Sequence, residues 1–274
     1  MSEITIRDAR NIDDYRRSIE VQKAVWGMSD LDIVPVVELI TVQHYGGICA
    51  GAFDGDDMVG FVYGMVGHRE GRFFHHSHML AVLPSYRGRG VGTRLKWAQR
   101  ERVLRQRMDL VNWTFDPLQA PNAKLNIRYL GATINKYVDN IYGETESPLH
   151  GGIPTDRLEA EWWIESPRVL QAEQGARSEL VSWQEQPRIN RTEMQGAFLH
   201  CTAVSLDRDE TDLLVEIPHN IAAIMAAQPE LALDWRMKTR QLFQNYFSRG
   251  YTVTDFHQTA ERTFYHLSRS LADR

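Results

Sequence analysis

Cysteine is scarce in this sequence: only Cys49 and Cys201 occur among its 274 residues. Two thiols so far apart, in a chain with ample apolar content, exclude a disulfide framework and a thiolate metal cage. Long apolar runs are missing as well. No segment reaches the roughly 20 residues that a bilayer crossing needs, and the start, Met-Ser-Glu-Ile-Thr-Ile-Arg, lacks the basic patch and apolar stretch of a signal peptide. Nor is there an excess of positive charge. Lys plus Arg number 31 against 36 Asp plus Glu, a formal charge of -5, which removes any general attraction to nucleic acid or an anionic membrane and confines basic character to local sites. Short-period repeats, low-complexity tracts and coiled-coil heptads are also lacking. These gaps lead to the expectation of a cytoplasmic globular protein with neither nucleic acid nor a membrane as its partner.

What is present is an ordinary core inventory, 43% hydrophobic residues with 10% aromatics, patterned with two periods. Residues 3–7 alternate as a strand, and Asn11-Ile12-Asp13-Asp14 caps a helix running to about Trp26. A short helix is expected over 36–44. Residues 48–53 and 58–66 then read as strands joined by the turn Asp54-Gly55-Asp56-Asp57, and 73–83 as a third, which makes an antiparallel meander. Helical spacing of Val91, Leu95, Ala98 and Val103 follows, with Arg100, Arg102, Arg105 and Arg107 as a solvated face. A strand at 109–115, a helix at 122–130 ending at Gly131, and strands at 133–138 and 158–164 come next. The last two flank a long loop holding Pro148, Gly151, Gly152 and Pro154. Residues 1–165 are thus expected to form a mixed α/β domain, a mostly antiparallel sheet flanked by helices. Residues 166–274 form a smaller α+β domain: a crossing segment to about 193, strands at 198–204, 212–217, 251–256 and 262–267, and a long helix from Pro229 to about Arg249. Its order repeats the second half of the first domain without a glycine loop; a degenerate second copy and plain α/β alternation both fit.

The densest chemical signal is Arg87-Gly88-Arg89-Gly90-Val91-Gly92-Thr93, placed between a strand ending at Val82-Leu83-Pro84 and a helix. Backbone N–H groups converge at such a helix start and bind anions. Three glycines let the backbone approach a diphosphate closely, and Arg87 and Arg89 add local positive charge. A glycine-rich connection solvated by two arginines is the alternative. Neither a Walker A loop nor a dinucleotide fingerprint matches, since the spacing here is Gly-x-Gly-x-Gly after an antiparallel strand.

With its lead-in His76-Ser77-His78-Met79-Leu80-Ala81-Val82-Leu83-Pro84, this loop closely resembles the acyl-CoA-binding signature of the GNAT superfamily, whose core Gln/Arg-x-x-Gly-x-Gly/Ala is matched by Arg87, Gly90 and Gly92. The resemblance extends over the order of elements from residue 3 to 165 and implies the GNAT acyl-CoA N-acyltransferase fold. It further implies that amides of Gly88, Arg89, Gly90, Val91, Gly92 and Thr93 hold the pyrophosphate of acetyl-CoA or another acyl-CoA. The backbone of Leu80, Ala81 and Val82 would pair with the pantetheine arm, and Asn122 is the nearest candidate for the Asn that often touches it, two residues closer to Gly131 than is usual. Segments 152–162, 232–236 and 250–256 look like a two-part GNAT subfamily described as predicted acetyltransferases. Some of its relatives are associated with N-succinylamino acids, so the resemblance points to an amino acid amine as acceptor and to succinyl-CoA as an alternative donor.

Aminolysis of a thioester needs a neutral amine, hence a base that works near neutral pH, and a stabilised oxyanion. His76 and His78 share a strand face by the period of two, and His-x-His-x-Leu-Ala-Val is similar to the arrangement of a superfamily member in which paired histidines act with water as general base. We read His76 and His78 as the catalytic residues, with no metal, because no carboxylate stands at ligand spacing from them. A strand that merely packs polar rings, as expected of His75 on the opposite face, is the competing reading. Many relatives carry a tyrosine acid where this sequence has Ile127; Tyr129, Tyr137 and Tyr142 are substitutes, or none is required. Trp113, Phe115, Trp162 and Trp163 serve the core or line an acceptor cleft, and Asp156-Arg157 either orients a substrate carboxylate or forms a structural ion pair. The function expected is acyl transfer to a primary amine of a small molecule, with acyl-CoA sensing without chemistry and protein acetylation as alternatives. A homodimer is left open.

Overall fold

The computed structural model describes residues 3–143, 152–175 and 183–270. They fall into two compact units, Met1–Trp113 with Trp163–Glu165, and Thr114–Trp162 with Ser166–Arg274. The expected loop residues Pro148 and Gly151 and part of the crossing segment, 176–182, lie outside the described residues.

In the first unit, β1 (Thr5–Asp8), β2 (Ile48–Asp54), β3 (Asp57–Arg69) and β4 (Arg72–Val82) neighbour one another in that order, all antiparallel. β5 (Leu110–Phe115) lies parallel to β4, and the division between the units falls within it. Three helices accompany the sheet: α1 (Ile12–Trp26), α2 (Val36–His44) and α3 (Val91–Arg105). Each local signal has a physical counterpart. The Asn11 side chain accepts from the Asp14 N–H at 2.9 Å, a cap worth about 1 kcal/mol. Gly27 ends α1 in the left-handed region, at φ 62°.

One face of the sheet packs Cys49, Phe53, Phe61, Tyr63, Met79 and Ala81 against Tyr15, Val21 and Leu39 of the first two helices. Alternation along β4 breaks once. Tyr63 is opposite Met79 and Gly64 is opposite Ser77, so His78 is an extra residue with no partner on β3. A bulge of this kind turns the pleat over. Upstream, His75 and Ser77 bond to Gln99 and Lys96 of α3. Downstream, the odd-numbered Met79 and Ala81 join the opposite core.

The second unit opens with α4 (Ala120–Ala123), which continues as a π-helical stretch, Lys124–Tyr129, where an ordinary helix is expected. β6 (Thr133–Val138), β7 (Arg157–Trp163), α5 (Pro167–Glu173), β8 (Asn190–Gln195) and β9 (Phe198–Val204) follow. The chain ends with β10 (Asp212–Ile217), α6 (Ile221–Ala227), α7 (Pro229–Ser248), β11 (Thr252–Gln258) and β12 (Thr263–Ser268). The strands run in the order β7-β6-β11-β12-β10, with β8 and β9 as a separate hairpin. The division differs from the boundary expected near residue 165. Ile134 of β6 pairs with Val253 of β11, so hydrogen bonding unites segments that are distant in sequence. The architecture is mixed α/β with a mostly antiparallel sheet flanked by helices.

Among the described residues no helix is long and apolar enough to cross a membrane.

Candidate active site

The site is built from β4, the loop that follows it and the start of α3. Beyond Val82 the chain makes a tight 3-10 turn, Pro84–Tyr86, and reaches α3 through Gly88 and Gly90, both left-handed at φ 75° and 73°. A Cβ at either glycine would meet nothing within 4 Å. Gly90 caps α3 without any side-chain hydrogen bond, and the first helical bond is from the Arg94 N–H to the Gly90 carbonyl. The amides of the first turn of α3 stand at an uncapped helix start, where the leading N–H groups lack intrahelical partners. The loop is exposed, with Arg87 anchored to the Val82 carbonyl at 3.2 Å and Arg89 lying over the ring of Tyr86 at 5.0 Å. Tyr86 in turn donates to Asp54 at 2.8 Å. The loop thus combines a helix start, open space and two guanidiniums.

Upstream, β4 is in register with β5 at only two residues, His75 opposite Val111 and His76 opposite Asn112. Leu80, Ala81 and Val82 are paired on one edge, with Val62, Phe61 and Gly60 of β3, and no residue of β5 is in register with them. Ala81 is buried, while Leu80 and Val82 are half-buried.

The rings of His76 and His78 lie 5.9 Å apart. His76 Nδ1 is 2.9 Å from Asn112 Oδ1. His78 meets the ring of Tyr63 edge-on at 6.0 Å, and the Tyr63 hydroxyl donates to Glu38 at 3.3 Å. One side of His78 is open to solvent, yet protein crowds the rest. This desolvation, with the neighbouring His76, pushes its pKa below the ordinary value, while Glu38 pulls the other way.

Across the sheet lies a polar layer that the sequence does not announce. Lys96 is buried; its Nζ donates to Ser77 Oγ at 2.9 Å and to Gln99 Oε1 at 3.0 Å, and stands 3.6 Å from the centre of the Trp113 ring. Gln99 Nε2 is 3.1 Å from His75 Nε2. Burial drives Lys96 far below the ordinary lysine range. His75 is pushed down to about 3 by burial first, then by Lys96 and His76, so it is a neutral core residue. The arginine face expected to be solvated is so at Arg105 and Arg107 but not at Arg100 and Arg102. Arg100 is buried and its Nε donates to the Ile164 carbonyl at 2.7 Å, and Arg102 pairs with Asp8. Helical spacing locates a face; it does not say what covers it.

Asn122, Ile127, Tyr137, Asp156 and Trp162 belong to the second unit. Asn122 is exposed on α4, and Ile127 is buried in the π-helical stretch. The Tyr137 hydroxyl donates to Asp156 at 2.6 Å, and Asp156 is held bidentately by Arg240 at 2.6 and 2.8 Å. Asp156 is therefore a structural anion, fully buried, whose carboxyl the Arg240 and Tyr137 hydrogen bonds keep below the usual range against the effect of burial. Trp162 is a core residue bonded to the Leu130 carbonyl.

Residues 13–125 match the model of the Acetyltransferase (GNAT) family. Among solved structures, the chain is similar to the acetyltransferase of GNAT family from Streptococcus pneumoniae, at 16% identity over 58% of this chain and 98% of that one, with a TM-score of 0.47. The NatC complex bound to Gag peptide and CoA gives 15%, 58%, 97% and 0.47 by the same measures. The ribosomal-protein-S18-alanine N-acetyltransferase from Escherichia coli gives 14%, 58%, 92% and 0.46. No curated protein matches the chain.

Proposed function

We propose, from the premise that residues 13–125 are a GNAT acetyltransferase domain, that this acyl-CoA-dependent N-acetyltransferase acetylates a primary amine of a small molecule, with an amino acid as the first acceptor to try. The observation that carries the reading is the continuity of one segment: two histidine rings 5.9 Å apart sit on β4, whose end leads through a short turn to the glycine loop at the start of α3.

Acyl-CoA supplies an activated carbonyl and a thiolate that leaves readily near neutral pH. The amides of Gly88 to Thr93 face a diphosphate, and Arg87 and Arg89 strengthen the field there. The unpaired edge of Leu80 to Val82 holds an extended arm as a strand would, and one of its N–H groups polarises the carbonyl. His76, with His78 and a water, takes the proton from the attacking amine. No general acid is assigned. Succinyl-CoA is the second donor to test.

Free-thiol release should be followed for acetyl-CoA and succinyl-CoA against a panel of D- and L-amino acids and simple amines. Turnover is expected with at least one amine. It should fall as pH drops and the histidines are protonated, a change that desolvation opposes at His78. His76→Ala/His78→Ala should lose about a hundredfold or more in rate. Full turnover in that variant would reject the proposed base; CoA binding without thioester loss across the panel would reject the transfer reaction.

A further inference from the structure

Histidine has two ring nitrogens, and a base must present the unprotonated one to its partner. In a neutral ring the hydrogen is on Nδ1 or on Nε2, and the hydrogen bond made by one decides the state of the other. His76 has such a bond within the first unit. Asn112 is opposite it on the parallel strand β5, and residues facing each other across a strand pair project to the same side. The contact, Nδ1 to Oδ1 at 2.9 Å, is between the ring and the carbonyl oxygen of the amide, which accepts and cannot donate.

We infer that Asn112 is a positioning residue for the transfer reaction: it keeps hydrogen on Nδ1 of His76 and so leaves Nε2 as the nitrogen that receives the amine's proton. This rests on reading His76 as the base. Three features favour the role over plain packing. Asn112 is 5% exposed, so water does not compete for the bond. Its flanking residues on β5 face away: Val111 is opposite His75, and the Trp113 ring meets Lys96 of α3, so Asn112 alone among these three is turned toward His76. The register itself is confined to His75 and His76, so the strands touch where the tautomer is set. The neutral amide also matters. A carboxylate there would favour the charged imidazolium, whereas an amide orients the ring and leaves it free to cycle between neutral and protonated states. The other titratable groups around it are His78 on the same strand, Glu38 of α2 acting on His78, and His75 with Lys96 across the sheet.

The test uses the full chain labelled with 15N-histidine, read by long-range 1H–15N spectra, with the His76 signals assigned by their loss in His76→Gln. The wild type is expected to show the Nδ1–H tautomer at His76, and Asn112→Ala a mixture or the Nε2–H form. Asn112→Ala should lower kcat about ten- to a hundredfold with the KM for acetyl-CoA unchanged. Asn112→Asp, isosteric and able to fold if the alanine variant does not, should keep the Nδ1–H form and move the acid limb of the rate profile to higher pH. An Nε2–H tautomer in the wild type, an unchanged tautomer in Asn112→Ala, or an unmoved acid limb in Asn112→Asp would overturn the inference. The tautomer is read without turnover, so a fully active His76→Gln enzyme would sink the base reading separately.

Discussion

Gly64 stands so close to the buried ring of His75 that a Cβ on it would lie 2.4 Å from Nε2 and 2.5 Å from the His76 carbonyl oxygen. The need for glycine here is steric, since Gly64 is outside the left-handed region. Gly64→Ala must either part β3 from β4 or displace the ring, at a cost on the order of 1–3 kcal/mol. Urea unfolding measures it. A variant as stable as its parent would mean that the hairpin opens without penalty and that the close approach is incidental.

The same histidine makes stability depend on pH. Folded, His75 resists protonation down to about 3; unfolded, it titrates near 6.5. Between these values the unfolded chain holds a proton that the folded one does not. Stability is therefore full above pH 6.5 and is lost as pH falls, at about 1.4 kcal/mol per pH unit from this group. His75→Asn should make the slope shallower by that amount between pH 6.5 and 5, above the range where most carboxylates titrate. Denaturant titrations at several pH values give the slope directly, and parallel curves for parent and variant would remove His75 from the account.

At the glycine loop the backbone and the ligand make separate demands. Gly90 is left-handed, so Gly90→Ala should cost about 1 kcal/mol in stability. Its methyl would also occupy open space at the loop to which the diphosphate is assigned. Affinity for CoA by calorimetry should weaken about tenfold, equivalent to about 1.4 kcal/mol, with the KM for acetyl-CoA rising in step and kcat at saturation little changed. Undiminished CoA binding would place the diphosphate elsewhere.

How much of this is legible in the sequence depends on how local each signal is. Asn11 announces α1 because its side chain bonds three residues ahead, and Asp54-Gly55 announces the β2–β3 hairpin because the turn needs a left-handed residue. The glycine loop is visible for the same reason, since Gly88 and Gly90 are themselves left-handed. The bulge at His78 has no such marker, and counting in twos carries the wrong face past it to Met79 and Ala81. Asn220 does cap α6, yet seven residues rich in alanine give no long amphipathic pattern to follow.

Contacts assembled from distant segments are the least legible. Nothing in the sequence marks Lys96 as a core residue; its contacts with Ser77, Gln99 and Trp113 do. Asn112 has no motif around it; its place beside His76 follows from a parallel register of two residues. The tie between β6 and β11 through Ile134 and Val253 likewise has no trace in composition, which is why the expected boundary near residue 165 differs from the division seen.

The opening strand bears on a different property, the tendency of sheet edges to recruit foreign chains. β1 ends its row of strands, but it has only four residues. Its neighbourhood is occupied by α3: Arg94 donates to the Ile4 carbonyl at 2.7 Å, and Arg102 pairs with Asp8. Short length and charged clasps are devices that blunt an edge against aggregation. The helix that begins at the candidate phosphate turn thus also shields this border of the sheet from unwanted self-association.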